Sequence, residues 1–238
     1  MRILVDSADL RAIRDALATG VVTGVTTNPT LLRRADVRAS AVAALAREAI
    51  ASGAAEVHLQ AYATDADGMV REGREFASID PARIHVKLVA TAPGYRAAAQ
   101  LASEGIAVTL TAVYTLRQAV AAESAGARAV AVYLSRLHDS GVDPMELVGR
   151  IQAMLTAQAA RVEILAASIR DPDEVGLLGA LGVASATLAP AIVDRLIESD
   201  ATAATAAAFT ADARTLIEPL NETGRPFAAV QHSERSIP

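Results

Sequence analysis

The run Ile84-His85-Val86-Lys87-Leu88-Val89 would be a wholly buried strand but for its lysine. Strands buried on both faces belong to parallel sheets covered by helices. Alanine-rich segments of helical periodicity flank this run, and the same alternation continues to both ends of the chain. Strands are predicted at Ile3–Asp6, Val22–Thr26, Glu56–Gln60, Ile84–Leu88, Ala107–Leu110, Ala129–Tyr133, Val162–Ala166 and Ala184–Thr187, each followed by a helical pattern. Regular alternation on this scale reads as an α/β fold, a single (β/α)8 TIM barrel. The 238 residues suit one such domain.

Local signals mark the helix ends. Asp9 is predicted to cap the first helix, Asp80-Pro81 to follow the third, and Asp143-Pro144 and Asp171-Pro172 to set a proline just inside a helix behind a capping carboxylate. Gly20, Gly53, Gly105 and Gly126 fall where helices turn back toward strands. A further helix, roughly Ala201–Ile217, follows the eighth unit and is expected to cover the barrel or reach a neighbouring subunit. The domain is therefore drawn over 1–218. A polar segment, 219–238, is expected to be mobile or ordered only by a partner.

The composition is 52% hydrophobic but only 3% aromatic, so aliphatic side chains and alanine must fill the core. A net charge of −5, with no basic run, argues against a nucleic-acid partner. No stretch approaches the roughly 18 apolar residues that span a bilayer. The amino terminus opens into a strand without a charged leader, and a cytoplasmic location is expected. With no cysteine, thiolate chemistry is excluded, and His58, His85, His138 and His232 lack metal-site spacing, so no metal and no cofactor are predicted.

Among 22 basic residues one is lysine, Lys87. Arginine cannot replace it where an uncharged amine is required. Burying an unpaired ammonium is costly, and a lowered pKa resolves the cost by leaving a neutral amine, which attacks carbonyls to form an electron-withdrawing iminium. The plainer reading is an interior ion pair with Asp6. In such barrels active sites lie at the carboxyl ends of the strands. Polar residues stand at nearly every one: Asp6, Thr26 with Asn28, Gln60, Lys87, Thr109 with Thr111, Tyr133 with Arg136, and Ser168 with Arg170. Helix caps and loop polarity would also account for several of them. A turn before proline would explain Asn28, and surface ion pairs would explain Arg136 and Arg170.

Val5-Asp6-Ser7-Ala8 followed by Gly24-Val25-Thr26-Thr27-Asn28-Pro29-Thr30 resembles the opening of the transaldolase family, in its short single-domain branch that includes fructose-6-phosphate aldolase. The resemblance continues through Val86-Lys87, Ala112-Val113-Tyr114, Tyr133-Leu134-Ser135-Arg136 and Leu165-Ala166-Ala167-Ser168, covering about positions 1 to 217. It implies Lys87 as the Schiff-base lysine and Asp6 as the group handling a substrate hydroxyl proton. Thr26 and Asn28 would hold substrate hydroxyls, Gln60 would position a water, and Tyr133 would serve as acid or base. Arg136, Ser168 and Arg170 match the end that grips an acceptor phosphate, a role suited to the two-pronged guanidinium.

Transaldolases typically carry Glu and Phe where this chain has Gln60 and Tyr133, whereas the aldolases carry Gln and Tyr. The resemblance thus favours a Schiff-base lyase of carbohydrate metabolism, joining dihydroxyacetone or a similar ketone to an aldehyde such as glyceraldehyde 3-phosphate. A pentose-phosphate transaldolase and a non-catalytic sugar-phosphate-binding barrel are the alternatives. An isomerase would be expected to show a catalytic Glu or His at a strand mouth, and none is evident. Val89 and Ala189 replace prolines usual in the family, with Pro190 one place later. A homo-oligomer is implied, ring-shaped and pentameric or decameric. His58 and His85 replace apolar residues. Alternation sets them on the same face as Gln60 and Lys87, a layer beneath the site, to keep Lys87 uncharged or simply as hydrogen-bonded core residues.

Overall fold

The computed structural model describes residues 1–216. Eight parallel strands close in sequence order into a barrel. The first half runs β1 (Arg2–Asp6), α1 (Leu10–Ala18), β2 (Val22–Thr26), α2 (Pro29–Arg34), α3 (Val42–Ala51), β3 (Glu56–Gln60), α4 (Ala66–Ala77) and β4 (Ile84–Val89). It continues through α5 (Ala92–Ser103), β5 (Val108–Val113), α6 (Leu116–Ser124), β6 (Ala129–Tyr133), α7 (Leu134–Asp139), α8 (Pro144–Ala157), β7 (Glu163–Ala167), α9 (Asp173–Ala180), β8 (Ser185–Leu188), α10 (Pro190–Ile197) and α11 (Asp200–Leu216). Met1–Leu196 forms one compact unit, which holds the whole barrel. Ile197 begins a second unit, whose described part runs to Leu216 and is chiefly α11, with side chains exposed through Arg214. The segment 219–238 lies outside the described residues. None of the described helices is long and apolar enough to cross a membrane.

The predicted caps form. The Asp9 carboxylate accepts from the Arg11 and Ala12 amides, and that of Asp143 accepts from Met145 and Glu146. Gly20, Gly53, Gly105 and Gly126 all adopt positive φ, between 73° and 104°. The Asp171-Pro172 helix begins one residue later than read, at Asp173, with Asp171 accepting from the Asp173 amide. Between β2 and β3 the chain makes two helices rather than one, because Asp36 turns at φ 53° before α3 can begin.

Strand alternation divides the side chains into two populations. Val5, Val25, Val57, Leu59, Val86, Leu88, Val130 and Ile164 face the helices and build the main apolar core. The inward positions hold a separate and much smaller apolar cluster, Leu4, Ala131 and Leu165, with Tyr133 against it. Buried Ala129 and Ala167 also face inward, and most of the other inward positions are polar. Arg2 of β1 reaches Glu56 of β3 and Glu163 of β7, each two strands away. Thr26 of β2 meets Thr187 of β8, and His58 of β3 meets Thr109 of β5. Each contact passes over an intervening strand, so it crosses the barrel lumen. These bonds satisfy groups that would otherwise cost about 1–3 kcal/mol each when buried unpaired.

Gly24 shows how closely the strands approach. A Cβ there would stand 2.7 Å from Glu56 Cγ and 2.9 Å from the Glu56 carbonyl oxygen, and a backbone carbonyl in a parallel ladder has no room to yield. Gly24→Ala is therefore expected to destabilise the fold by roughly 1–3 kcal/mol. Urea denaturation of the two proteins measures this, and equal midpoints would contradict the packing described.

Candidate active site

At the carboxyl ends of the strands the barrel opens into a cavity of about 530 Å³. Asp6, Asn28, Gln60, Lys87, Tyr133, Arg136 and Ser168 all line it, as expected from the sequence. Arg34 and Thr187 line it too, and the sequence reading missed both. Thr187 is next to last in the eighth strand and was recoverable from the rule that placed the other strand-end residues. Arg34 stands at the end of α2, and no local signal in the sequence points it to the cavity.

Lys87 sits between Gln60 and Thr109 in register on the neighbouring strands. It is 2% exposed. Nζ donates to the Thr27 carbonyl at 3.3 Å. No carboxylate among the described residues lies within ion-pairing distance of it, so the interior pair with Asp6 does not form. Asp6 is instead oriented by hydroxyls: Thr26 Oγ1 donates to its Oδ1 at 2.6 Å, and Thr187 Oγ1 stands 2.6 Å from Thr26 Oγ1. Because the Thr26 proton is committed to the carboxylate, Thr187 acts as donor in the second bond. Thr26 therefore lies behind Asp6 rather than on the cavity wall.

Thr111 and Thr109 are likewise supporting residues. Thr111 Oγ1 donates to the Tyr133 hydroxyl at 3.1 Å, and Tyr114 packs edge-on against the same ring with centroids 6.0 Å apart. The phenol is thus held by β5 and the residue that follows it. Thr109 turns inward to His58 Nδ1 at 3.0 Å. Asn28 lines the cavity, but its Oδ1 caps α2 by accepting from the Leu31 amide, which leaves the amide NH2 for a ligand.

Ser168 adopts φ 59°, and its hydroxyl lies 2.5 Å from that of Ser135, whose amide donates to the Ser168 carbonyl. Arg136, in the first turn of α7, reaches the cavity. Arg170 does not. Both of its terminal nitrogens donate to Asp139, at 2.8 and 2.9 Å, at an exposed site, so the plainer surface-pair reading holds for this residue. The second cation at the cavity is Arg34, and neither Arg34 nor Arg136 enters an ion pair among the described residues.

At the amino-terminal end of the barrel the two histidines meet a carboxylate. His58 and His85 stack with centroids 4.4 Å apart; Glu56 Oε2 lies 3.1 Å from His58 Nε2 and 3.6 Å from His85 Nε2. The linear spacing had argued against any cluster of His and carboxylate, and the structure corrects that: adjacent parallel strands put His58 and His85 in register. Neither ring hydrogen-bonds to Lys87. Burial pushes both imidazoles below the ordinary histidine range, that of His85 to about 3, with the neighbouring His58 adding to the effect. Burial alone would raise the Glu56 carboxyl, but the hydrogen bond from His58 and the nearby Arg2 outweigh it and hold Glu56 ionised.

The family model described as Transaldolase/Fructose-6-phosphate aldolase matches residues 3–232. The chain is 37% identical over 214 residues to a protein of Hyphomonas neptunium named "Probable transaldolase", covering 90% of this chain and 97% of that one. A Thermus thermophilus protein of the same name is 38% identical over 206 residues, covering 83% and 91%. Among solved structures, the thiamine phosphate pyrophosphorylase of Pyrococcus furiosus superposes with a TM-score of 0.55 at 16% identity, over 83% of this chain and 97% of that one. A designed cube-shaped porous protein cage does so with a TM-score of 0.57 at 12% identity, over 91% and 78%. These two likenesses reflect the barrel fold alone.

The buried histidines make stability depend on pH. An unfolded His85 binds a proton near pH 6.5, whereas the folded one resists it to about pH 3, so stability is complete above the first value and falls as pH drops between them. His85→Leu should remove roughly 1–3 kcal/mol of the stability lost between neutral pH and pH 4.5. Denaturant titrations at both pH values with a chelator present test this, and an unchanged pH dependence would exclude His85 as a source. The matched family model, the identity with full-length relatives and the residues gathered at the barrel mouth agree, and the chain belongs to the transaldolase/fructose-6-phosphate aldolase family.

Proposed function

We propose that this protein is a Schiff-base aldolase that cleaves or forms a carbon–carbon bond in a keto-sugar or its phosphate, with Lys87 as nucleophile. The observation that carries this reading is a lysine amine buried at the cavity, hydrogen-bonded to one carbonyl, with no carboxylate among the described residues within ion-pairing distance. As the free amine, Nζ attacks the ketone carbon, and loss of water gives the iminium. Asp6 takes the proton from the hydroxyl beside the scissile bond, the bond breaks, and the aldehyde leaves. The remaining enamine is protonated, with Tyr133 and a water held by Gln60 handling the proton, and hydrolysis frees the ketone. Arg34 and Arg136 supply positive charge for an acceptor phosphate, and Ser168 supplies a hydroxyl beside them. Dihydroxyacetone with glyceraldehyde 3-phosphate is the pair of partners this reading favours. Gln60 and Tyr133 support free release of the ketone.

A second reading, transfer of a dihydroxyacetone unit between sugar phosphates, is favoured by the name shared by the curated relatives. The α11 helix is consistent with a homo-oligomer, which belongs to the same proposal.

Borohydride reduction with fructose 6-phosphate or dihydroxyacetone should leave a stable ketone adduct on Lys87, visible by intact mass. Because the chain has one lysine, only the amino terminus needs excluding. No adduct would refute the covalent mechanism. Release of dihydroxyacetone from fructose 6-phosphate without added acceptor is expected. Product formation only when erythrose 4-phosphate is supplied would instead establish the transferase.

A further inference from the structure

The end of the barrel opposite the cavity carries a group that the proposed reaction does not use. Among the described residues the His85 side chain makes no hydrogen bond: its Nδ1 is buried without a partner there, and its Nε2 faces Glu56 Oε2 at 3.6 Å. Folded proteins seldom leave a buried imidazole in that condition. One donor atom each from Glu56, His58 and His85 lies within 4.8 Å of the other two. Around a tetrahedral zinc ion with bonds of about 2.0–2.1 Å, ligand atoms stand about 3.3 Å apart. The separations of 3.1 and 3.6 Å from Glu56 Oε2 bracket that edge.

We propose that Glu56, His58 and His85 form a structural binding site for a divalent transition metal of the zinc class, with water as fourth ligand. Two imidazoles and a carboxylate, without sulfur, suit zinc and its neighbours better than magnesium or calcium. The surrounding contacts orient the ligands. Arg2 Nε holds Glu56 Oε1 at 2.9 Å, leaving Oε2 for the ion. When His58 Nε2 coordinates, its proton moves to Nδ1 and is donated to Thr109 Oγ1, 3.0 Å away, the outer-shell support typical of metal-bound histidine.

The rings stack at 18°, so convergence on one ion requires one of them to turn, and no side-chain hydrogen bond among the described residues holds His85 back. Side-chain exposures of 14% for His85 and 11% for Glu56 give the ion a way in beside Arg2. A bound ion would tie β3 to β4 two residues below Gln60 and Lys87.

The test uses the full chain, stripped by chelator and dialysed against Zn2+, with metal counted by mass spectrometry. One zinc per chain is expected, with affinity falling roughly tenfold or more in His85→Ala and Glu56→Gln and unchanged in His138→Ala, which removes an exposed histidine. X-ray absorption at the zinc edge of the parent protein needs no variant to fold, and should show two imidazole ligands. Substoichiometric uptake at saturating zinc, full affinity in His85→Ala, or a spectrum without two imidazoles would each overturn the proposal.

Discussion

A buried amine with one hydrogen bond sets the terms for the rest of this barrel. Lys87 occupies an inward position in a strand whose Ile84, Val86 and Leu88 pack against helices, and among the described residues the Thr27 carbonyl is its single side-chain hydrogen-bond partner. A lysine is tolerated there because the lumen around it is polar. The apolar cluster of the lumen, Leu4, Ala131 and Leu165 with Tyr133, draws on β1, β6 and β7 and on neither β3 nor β4. Threonines, histidines and acidic residues occupy much of the rest, and Glu56, Glu163, Thr26 and His58 bond across the lumen to partners two strands away. The apolar contacts that close the fold lie mainly outside the sheet, so the interior is left for chemistry.

Two kinds of residue serve the cavity. Asp6, Gln60, Lys87, Tyr133 and Arg136 face it, while Thr26, Thr111 and Thr187, the last of which also lines it, fix the rotamers of Asp6 and Tyr133 through hydroxyl contacts of 2.6 to 3.1 Å. A carboxylate held by a hydroxyl that is itself held by another has little freedom left, which suits proton transfer at a set distance. The amino-terminal end is organised differently. There Arg2, Glu56, Glu163 and Arg128 form a chain of ion pairs that links β1, β3 and β7 below the histidines.

Much of this was readable from the sequence, for physical reasons. The strands at Val22–Thr26, Glu56–Gln60 and Ala129–Tyr133 fall where read, because alternation and β-branching are local signals. Asp6, Gln60, Lys87 and Tyr133 followed from strand ends and from the family motif. What was illegible depends on neighbours distant in sequence. His58 and His85 are 27 positions apart along the chain but adjacent in register, so spacing along the chain could not reveal them as a cluster with Glu56. Arg170 and Arg136 look alike as residues after a strand, and the Asp139 carboxylate at the end of α7 separates them. Strand β5 extends past its predicted end to Val113, with Ala112 at φ 59°, a left-handed residue that alternation does not anticipate.

The proposed chemistry requires covalent participation of the Lys87 amine. The most direct test is single-turnover cleavage of fructose 6-phosphate by a Lys87→Met variant whose folding is confirmed by an unchanged circular dichroism spectrum. Loss of the nucleophile should lower the rate by ~10³-fold or more. A folded variant that cleaves the sugar at the parent rate would contradict the mechanism.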